Sequence, residues 1–178
     1  MTKQYDNGYL VGDGAAQNVS IGWIPDAVKV VNLTDADKVT FGNFIRAMAF
    51  TSGGTTEIAA GDLITGATSG ATATVRQVLL SSGSWAGADA AGFFLFNIED
   101  KTGTFQSENV YVGSGTNDAT VTVDAAVSYS YDTEVAVETG NAAITAYVGS
   151  STAAKGFTIG STVSEEAKLL FWEAWRKS

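Results

Sequence analysis

Hydrophobic residues in this chain come in short runs broken by clusters of Gly, Ser, Thr, Asn and Asp. Where the runs mix with polar residues, they often alternate with a period of two, the pattern of strands joined by small-residue turns. Residues 1–20 are polar and glycine-rich, with Tyr5 and Tyr9 as the only large anchors. They read as an N-terminal arm, or as a first strand that docks late. Pro25-Asp26 marks a turn, and AVKVVNL after it is a Val-rich strand. VTFGNFIRAMAF predicts a pair of strands or one strand bulged at Gly42, with a short helix over Phe44 to Phe50 competing. TSGGTTEIAAGD then breaks the pattern.

From there to about Thr122 the texture is finer. ATATVRQVLL puts Ala71, Ala73, Val75 and Gln77 on one face, and Thr72, Thr74, Arg76 and Val78 on the other. SSGSWAGADAAG reads as a long loop of small residues, with Trp85 expected to stand exposed. FFLFNIE is a buried strand, DKTG a turn and TFQSENVYVG another strand; SGTND then leads into ATVTVDAAVSYSYD. These spacings predict a small antiparallel β unit. Beyond it, ITAYVG, GFTIG and AKLLFWEAWR are the longer candidates. The last fits a helix capped by Ser164, with Ala167, Leu170, Phe171, Ala174 and Trp175 as its apolar stripe. It also fits a strand with Leu169, Phe171 and Trp175 on one face. Periodicity alone leans slightly to the helix.

GDLITGATSGATATVRQV (Gly61 to Val78) has the small-residue texture of a phosphate loop without its chemistry. A Walker-type loop needs Lys and then Ser or Thr after its second glycine, and here Ala71 and Thr72 follow Gly70. A dinucleotide loop opens a helix, and here the sequence continues as a strand. Gly66 and Gly70 instead bracket a tight turn that packs closely on a neighbour.

Composition narrows the class. The 178 residues are 45% hydrophobic with a single proline, which describes a globular chain able to bury a core without staples. Ten basic against nineteen acidic residues leave a net charge of −9, and Lys and Arg are scattered except for Arg176 and Lys177. Nucleic acid is therefore not an expected partner, because phosphate neutralisation needs a basic stripe. The acidity favours solubility and repulsion between copies. No run of about 18 apolar residues exists to span a bilayer, so no membrane is expected either. The opening residues lack the apolar run of a secretion signal.

The chain has no Cys and no His, which excludes thiolate chemistry, the usual zinc sites and relays through histidine. Acid–base work would fall to carboxylates: Asp35 with Asp37, Glu99 with Asp100, or Glu165 with Glu166. Their sequence context reads as solvated surface acids. TDADK lacks the glycine and distal glutamate of a calcium loop. Asn18 and Asn32 fall in glycosylation patterns that match by chance without a secretion signal. Trp23, Trp172 and Trp175 are expected in the core, and Trp85 is the candidate for surface contact with a partner or a glycan. No catalytic, cofactor-binding or metal residue is put forward.

GDLITGATSGATATVRQV, followed by DKTGTFQSENVYV, resembles a module that recurs in tailed-bacteriophage structural proteins. Gly103, Phe105 and Glu108 fill its second element, with Ser107 where glycine is common. PDAVKVVNLT and KGFTIGSTVSEEAKLLFWEAWR are similar to the two ends of another phage virion domain, in which they form strands. The resemblance implies an all-β fold: a β-sandwich-like domain from residues 21–54 plus 126–178, carrying an inserted small β-barrel or sandwich at 55–125. It implies a non-enzymatic decoration protein on the outer surface of the phage head. Its partners would be the major capsid protein and further copies of itself, with a trimer favoured. The alternatives are a tail or fibre adaptor, or a carbohydrate-binding module that reads through Trp85; a carboxylate depolymerase is a third.

Overall fold

The computed structural model describes residues 3–35, 38–54, 56–122, 125–126, 129–132, 138–139 and 143–177. Nearly all regular structure is strand. In chain order these are β1 (Lys3–Val11), β2 (Gln17–Ser20), β3 (Ala27–Asn32), β4 (Val39–Asn43), β5 (Ile45–Gly53), β6 (Leu63–Gly66), β7 (Thr72–Thr74), β8 (Gln77–Ser82) and β9 (Ala90–Asn97). A 3₁₀ turn, Ile98–Asp100, leads to β10 (Lys101–Thr102), β11 (Glu108–Val112), β12 (Ala119–Val121) and β13 (Ala125–Ala126). The chain closes with β14 (Tyr129–Asp132), β15 (Glu138–Thr139), β16 (Ile144–Tyr147), β17 (Gly156–Ile159) and β18 (Leu169–Lys177). The protein is all-β, as the period-two patterning predicts.

Two compact units divide it, one from residues 1–44 and 127–178 and one from residues 45–126. The inserted unit begins at Ile45, ten residues before the expected border at 55 and six before the TSGGTT break. The reason is that β5 runs through that break as far as Gly53, paired with β9. VTFGNFIRAMAF is thus two strands, β4 in one unit and β5 in the other, with Phe44 between them. The only irregularity in this stretch lies between Phe50 and Gly53, where Ser52 takes a φ of 51°, and not at Gly42.

The first unit has a six-stranded antiparallel sheet, β1-β18-β3-β4-β14-β15, and a three-stranded one, β16-β17-β2. β18 settles the helix-or-strand question. Leu170, Trp172 and Ala174 are buried while Leu169, Phe171, Glu173 and Trp175 point the other way, which is a period of two. In β3, Val28, Val30 and Asn32 face inward. Phe157 of β17 meets Trp172 of β18 edge to face at 5.4 Å, which joins the two sheets across a sandwich-like core. Residues 3–11 are no separate arm: β1 pairs with β18 along all nine positions, and residues 17–20 pair with β17. Glycine and polar residues made this segment look like an arm. Its inner face carries Asp6, Gly8 and Leu10, opposite Ala174, Trp172 and Leu170, and only the other face is rich in aromatics.

The inserted unit is a curled sheet of order β10-β7-β6-β11-β12-β5-β9-β8, with β13 alongside β5. Its inner face closes on one cluster that includes Met48, Phe50, Ile64, Ala73, Phe94, Phe96, Phe105 and Val110. The alternation read in ATATVRQV holds through Ala71, Ala73 and Val75. At Arg76 the chain leaves β6 and crosses to β9, so Gln77 is exposed.

Candidate functional site

The two motif elements of the inserted unit meet at one carboxylate. Gly66 and Gly70 close the turn between β6 and β7: the N–H of Gly70 donates to the Gly66 carbonyl at 3.0 Å, and Gly70 adopts a φ of 67°. Glu108, at the start of β11, lies buried against that turn. Its Oε2 accepts from the backbone N–H of Thr68 (2.7 Å) and Ser69 (2.8 Å), and its Oε1 from Ser69 Oγ (2.5 Å) and the N–H of Gln106 (3.0 Å). A Cβ on Gly66 would stand 2.6 Å from Glu108 Oε1, so glycine is required there. Burial acts to raise the Glu108 pKa. The donors from Gln106, Ser69 and Thr68 outweigh it and hold the carboxyl at about 2. Phe105 is in the core and Gly103 turns the chain beside Ala71. This constellation has every acceptor occupied and holds the unit together.

Trp85 is not a surface contact. It is 7% exposed and stacks on Phe50 at 5.4 Å, and Phe50 in turn stacks on Phe94 at 4.1 Å. Its loop folds onto itself: Asp89 Oδ1 accepts from Ser84 N, and Ser84 Oγ from Gly87 N. The indole is thereby turned inward over Gly53 and Ala90, whose small size makes the room. Trp172 is buried and Trp23 partly buried, whereas Trp175, expected in the core, is 38% exposed.

One member of each acidic pair is held by a basic side chain. Asp35 receives Lys168 (2.9 Å) and Glu165 receives Lys38 (2.9 Å), while Asp100 is bound by Arg76. The hydrogen bond from Lys168 lowers the Asp35 pKa. Asp37 lies outside the described residues. Asn32 is buried, its Oδ1 accepting from the N–H groups of Thr34 and Asp35. A hollow of about 10 Å³ beside Asn32, Lys38, Thr40 and Glu165 has room for a single water. Among the described residues no group of three or more Asp or Glu is placed to hold a metal, and no helix is long and apolar enough to cross a membrane.

What the first unit does present is a broad aromatic sheet face. The residues of β18 that point away from the core share it with their partners on β1, β3 and β4. One row runs Tyr9–Phe171–Val31–Val39, the next Asn7–Glu173–Lys29–Phe41, and the third Tyr5–Trp175–Ala27–Asn43. Tyr9 (67% exposed), Val11 (60%) and Tyr5 (53%) stand out furthest, with Phe41, Leu169 and Trp175 also exposed. Tyr9 and Phe171 touch, ring centres 5.1 Å apart. At the centre, Glu173 accepts from Tyr5 Oη (2.9 Å) and pairs with Lys29 (3.4 Å). The bond to Glu173, with burial second, raises the Tyr5 pKa and keeps the hydroxyl a donor. A smaller exposed pair, Leu79 opposite Phe93, lies on the inserted unit. The face of the first unit is therefore two apolar, aromatic rows on either side of a polar central row, and exposed aromatic surface of this kind is a candidate place for another macromolecule to bind. The sequence signal for the face was there: Tyr5, Tyr9, Leu169, Phe171 and Trp175 each fall at alternate positions. Only the pairing of β1 with β18 reveals that they are neighbours.

Compared with protein families, curated proteins and solved structures, the chain matches none.

Proposed function

We propose that this chain is a non-enzymatic structural protein of a tailed-phage particle, a decoration protein seated on the outer surface of the head. The observation that supports it most is the aromatic sheet face of β1, β18, β3 and β4, bordered by β1, which among the described residues pairs only with β18. Such a surface suits adhesion to a flat lattice, where many weak contacts sum by avidity. The motif resemblance to virion proteins points the same way. The major capsid protein is the partner in this reading, and further copies of the chain are neighbours. The −9 charge keeps decorated particles apart. With Trp85 buried, the glycan-reading alternative has lost the residue meant to carry it.

Binding to capsids stripped of the protein tests the proposal. Tyr9→Ser with Trp175→Ser, both exposed, is expected to weaken binding tenfold or more without unfolding the chain, because aromatic anchors dominate interfaces. Labelled protein found on the tail, or binding to capsids unchanged by the double substitution, overturns it.

A further inference from the structure

We propose that β1 is a self-complementary docking strand, along which two copies of this chain join into one continuous antiparallel sheet. β1 ends the six-stranded sheet, and among the described residues no strand other than β18 pairs with it. The direction of its backbone groups follows from its partner. Leu169 gives its N–H to Thr34 Oγ1, and its carbonyl accepts from Leu33 N–H, so both groups point to the β3 side. Val11, opposite Leu169, therefore turns its own groups outward, and its carbonyl indeed accepts from Gln17 Nε2. Alternation along an antiparallel ladder then turns the backbone groups of Tyr5, Asn7 and Tyr9 outward as well.

Exposed edges are normally guarded by proline, bulges or mid-strand lysine. β1 runs nine residues with none of these; its charges are Lys3, its first residue, and Asp6 on the inner face, whose Oδ1 accepts from the Asn7 N–H at 2.9 Å. The occupant we assign is a second copy, on charge and register. The whole chain carries −9, which opposes self-association, but β1 carries one Lys and one Asp and is neutral. A two-fold axis through Asn7 pairs all nine residues. It puts Tyr5 of one copy opposite Tyr9 of the other, Asn7 opposite Asn7, and Asp6 opposite Gly8. Shifting each copy so that the axis passes through residue 6 would bring the two Asp6 carboxylates together and leave end residues unpaired. In the Asn7-centred register the aromatic rows also run on, from Trp175 and Tyr5 into Tyr9 and Phe171 of the second copy. Such a contact is isologous and closes as a dimer. It needs no capsid, so it stands or falls apart from the virion reading.

The chain contains no cysteine, so engineered ones report cleanly. Residues facing each other in a hydrogen-bonded antiparallel pair lie about 5.5 Å apart at Cα, within the roughly 4.4–6.8 Å a disulfide spans. Asn7→Cys is expected to cross-link to a covalent dimer on mild oxidation, well above the background of Val148→Cys on an exposed loop. Tyr5→Cys and Tyr9→Cys should each stay uncoupled alone and cross-link when mixed. Asn7→Pro removes an outward N–H, which within one chain donates to the Asp6 carboxylate in an exposed bond (2.9 Å), while sparing the ladder to β18, as edge strands allow; it is expected to weaken the dimer roughly tenfold or more with little change in thermal stability, since an exposed bond of this kind contributes little. A wild-type protein that is monomeric or trimeric by light scattering at high concentration overturns the proposal. So does cross-linking of Tyr5→Cys alone, or a dimer indifferent to Asn7→Pro.

Discussion

Glu108 is the residue on which the inserted unit turns. Its carboxyl sits at about 2 in the fold, against an ordinary value of 4.5. A depressed pKa means that the unfolded chain binds the proton more readily. The contribution is therefore complete above about pH 4.5 and is lost as the pH falls from there towards 2. A shift of that size corresponds to roughly 3 kcal/mol. Glu108→Gln keeps the shape but turns an NH₂ towards donors that now lack an acceptor. We expect a loss of roughly 2–3 kcal/mol at pH 7 in urea unfolding, with variant and wild-type curves converging near pH 2. A constant gap at all pH values would assign the effect to packing and not to charge. Glu108 was legible in the sequence as part of a motif, but its role was not. The turn it clamps lies some forty residues upstream, and nothing local to "SENV" signals four converging donors. Trp85 failed as a surface residue for a related reason: glycines and alanines nearby read as solvent-exposed loop, when they are the small neighbours that admit a buried indole.

At the scale of elements, β1 and β18 show where pattern reading succeeds and where it runs out. LLFWEAWR satisfied both a helical stripe and a strand face, and tertiary pairing decided it: nine residues of β1 on one side and six of β3 on the other. β1 was hidden because its inner face has so little side chain. Gly8 sits over the ring of Trp172, and a Cβ there would fall 2.7 Å from Cζ2. The strand thus depends on a residue that, in sequence, argues against a strand. Gly8→Val is expected to destabilise the first unit by about 1–3 kcal/mol through overpacking, despite the higher strand propensity of valine. Hydrogen exchange checks the location, with protection lost first along residues 3–11 and 169–177. A stabilised variant, or loss spread evenly over the chain, would show that β1 does not rest on that ring.

At the scale of the molecule, the insertion was legible as an order of modules, and its borders were not. The TSGGTT break looked like a domain border because small polar residues usually mark loops. Here Thr51, Ser52 and Gly53 finish a strand whose apolar half, Met48 and Phe50, belongs to the inserted core. The true border falls within the apolar stretch, at Phe44 and Ile45, where hydropathy gives no signal. The inserted unit is nonetheless built to stand alone. It has one core of its own, and its first and last strands pair: Arg46 opposite Ala126 and Ala47 opposite Ala125. Its two ends therefore lie side by side, the geometry that tolerates insertion. Residues 45–126, expressed alone, are expected to fold with a single cooperative transition and a dispersed amide NMR spectrum. The Glu108→Gln penalty should reappear there at similar size, since every partner of that carboxylate is inside the segment. The segment cut at 55–125 should fail, because it lacks β5, the strand that pairs with β9, β12 and β13 at once. If both segments fold equally well, β5 is dispensable and the unit's border lies elsewhere. If neither folds, the inserted core depends on the rest of the chain.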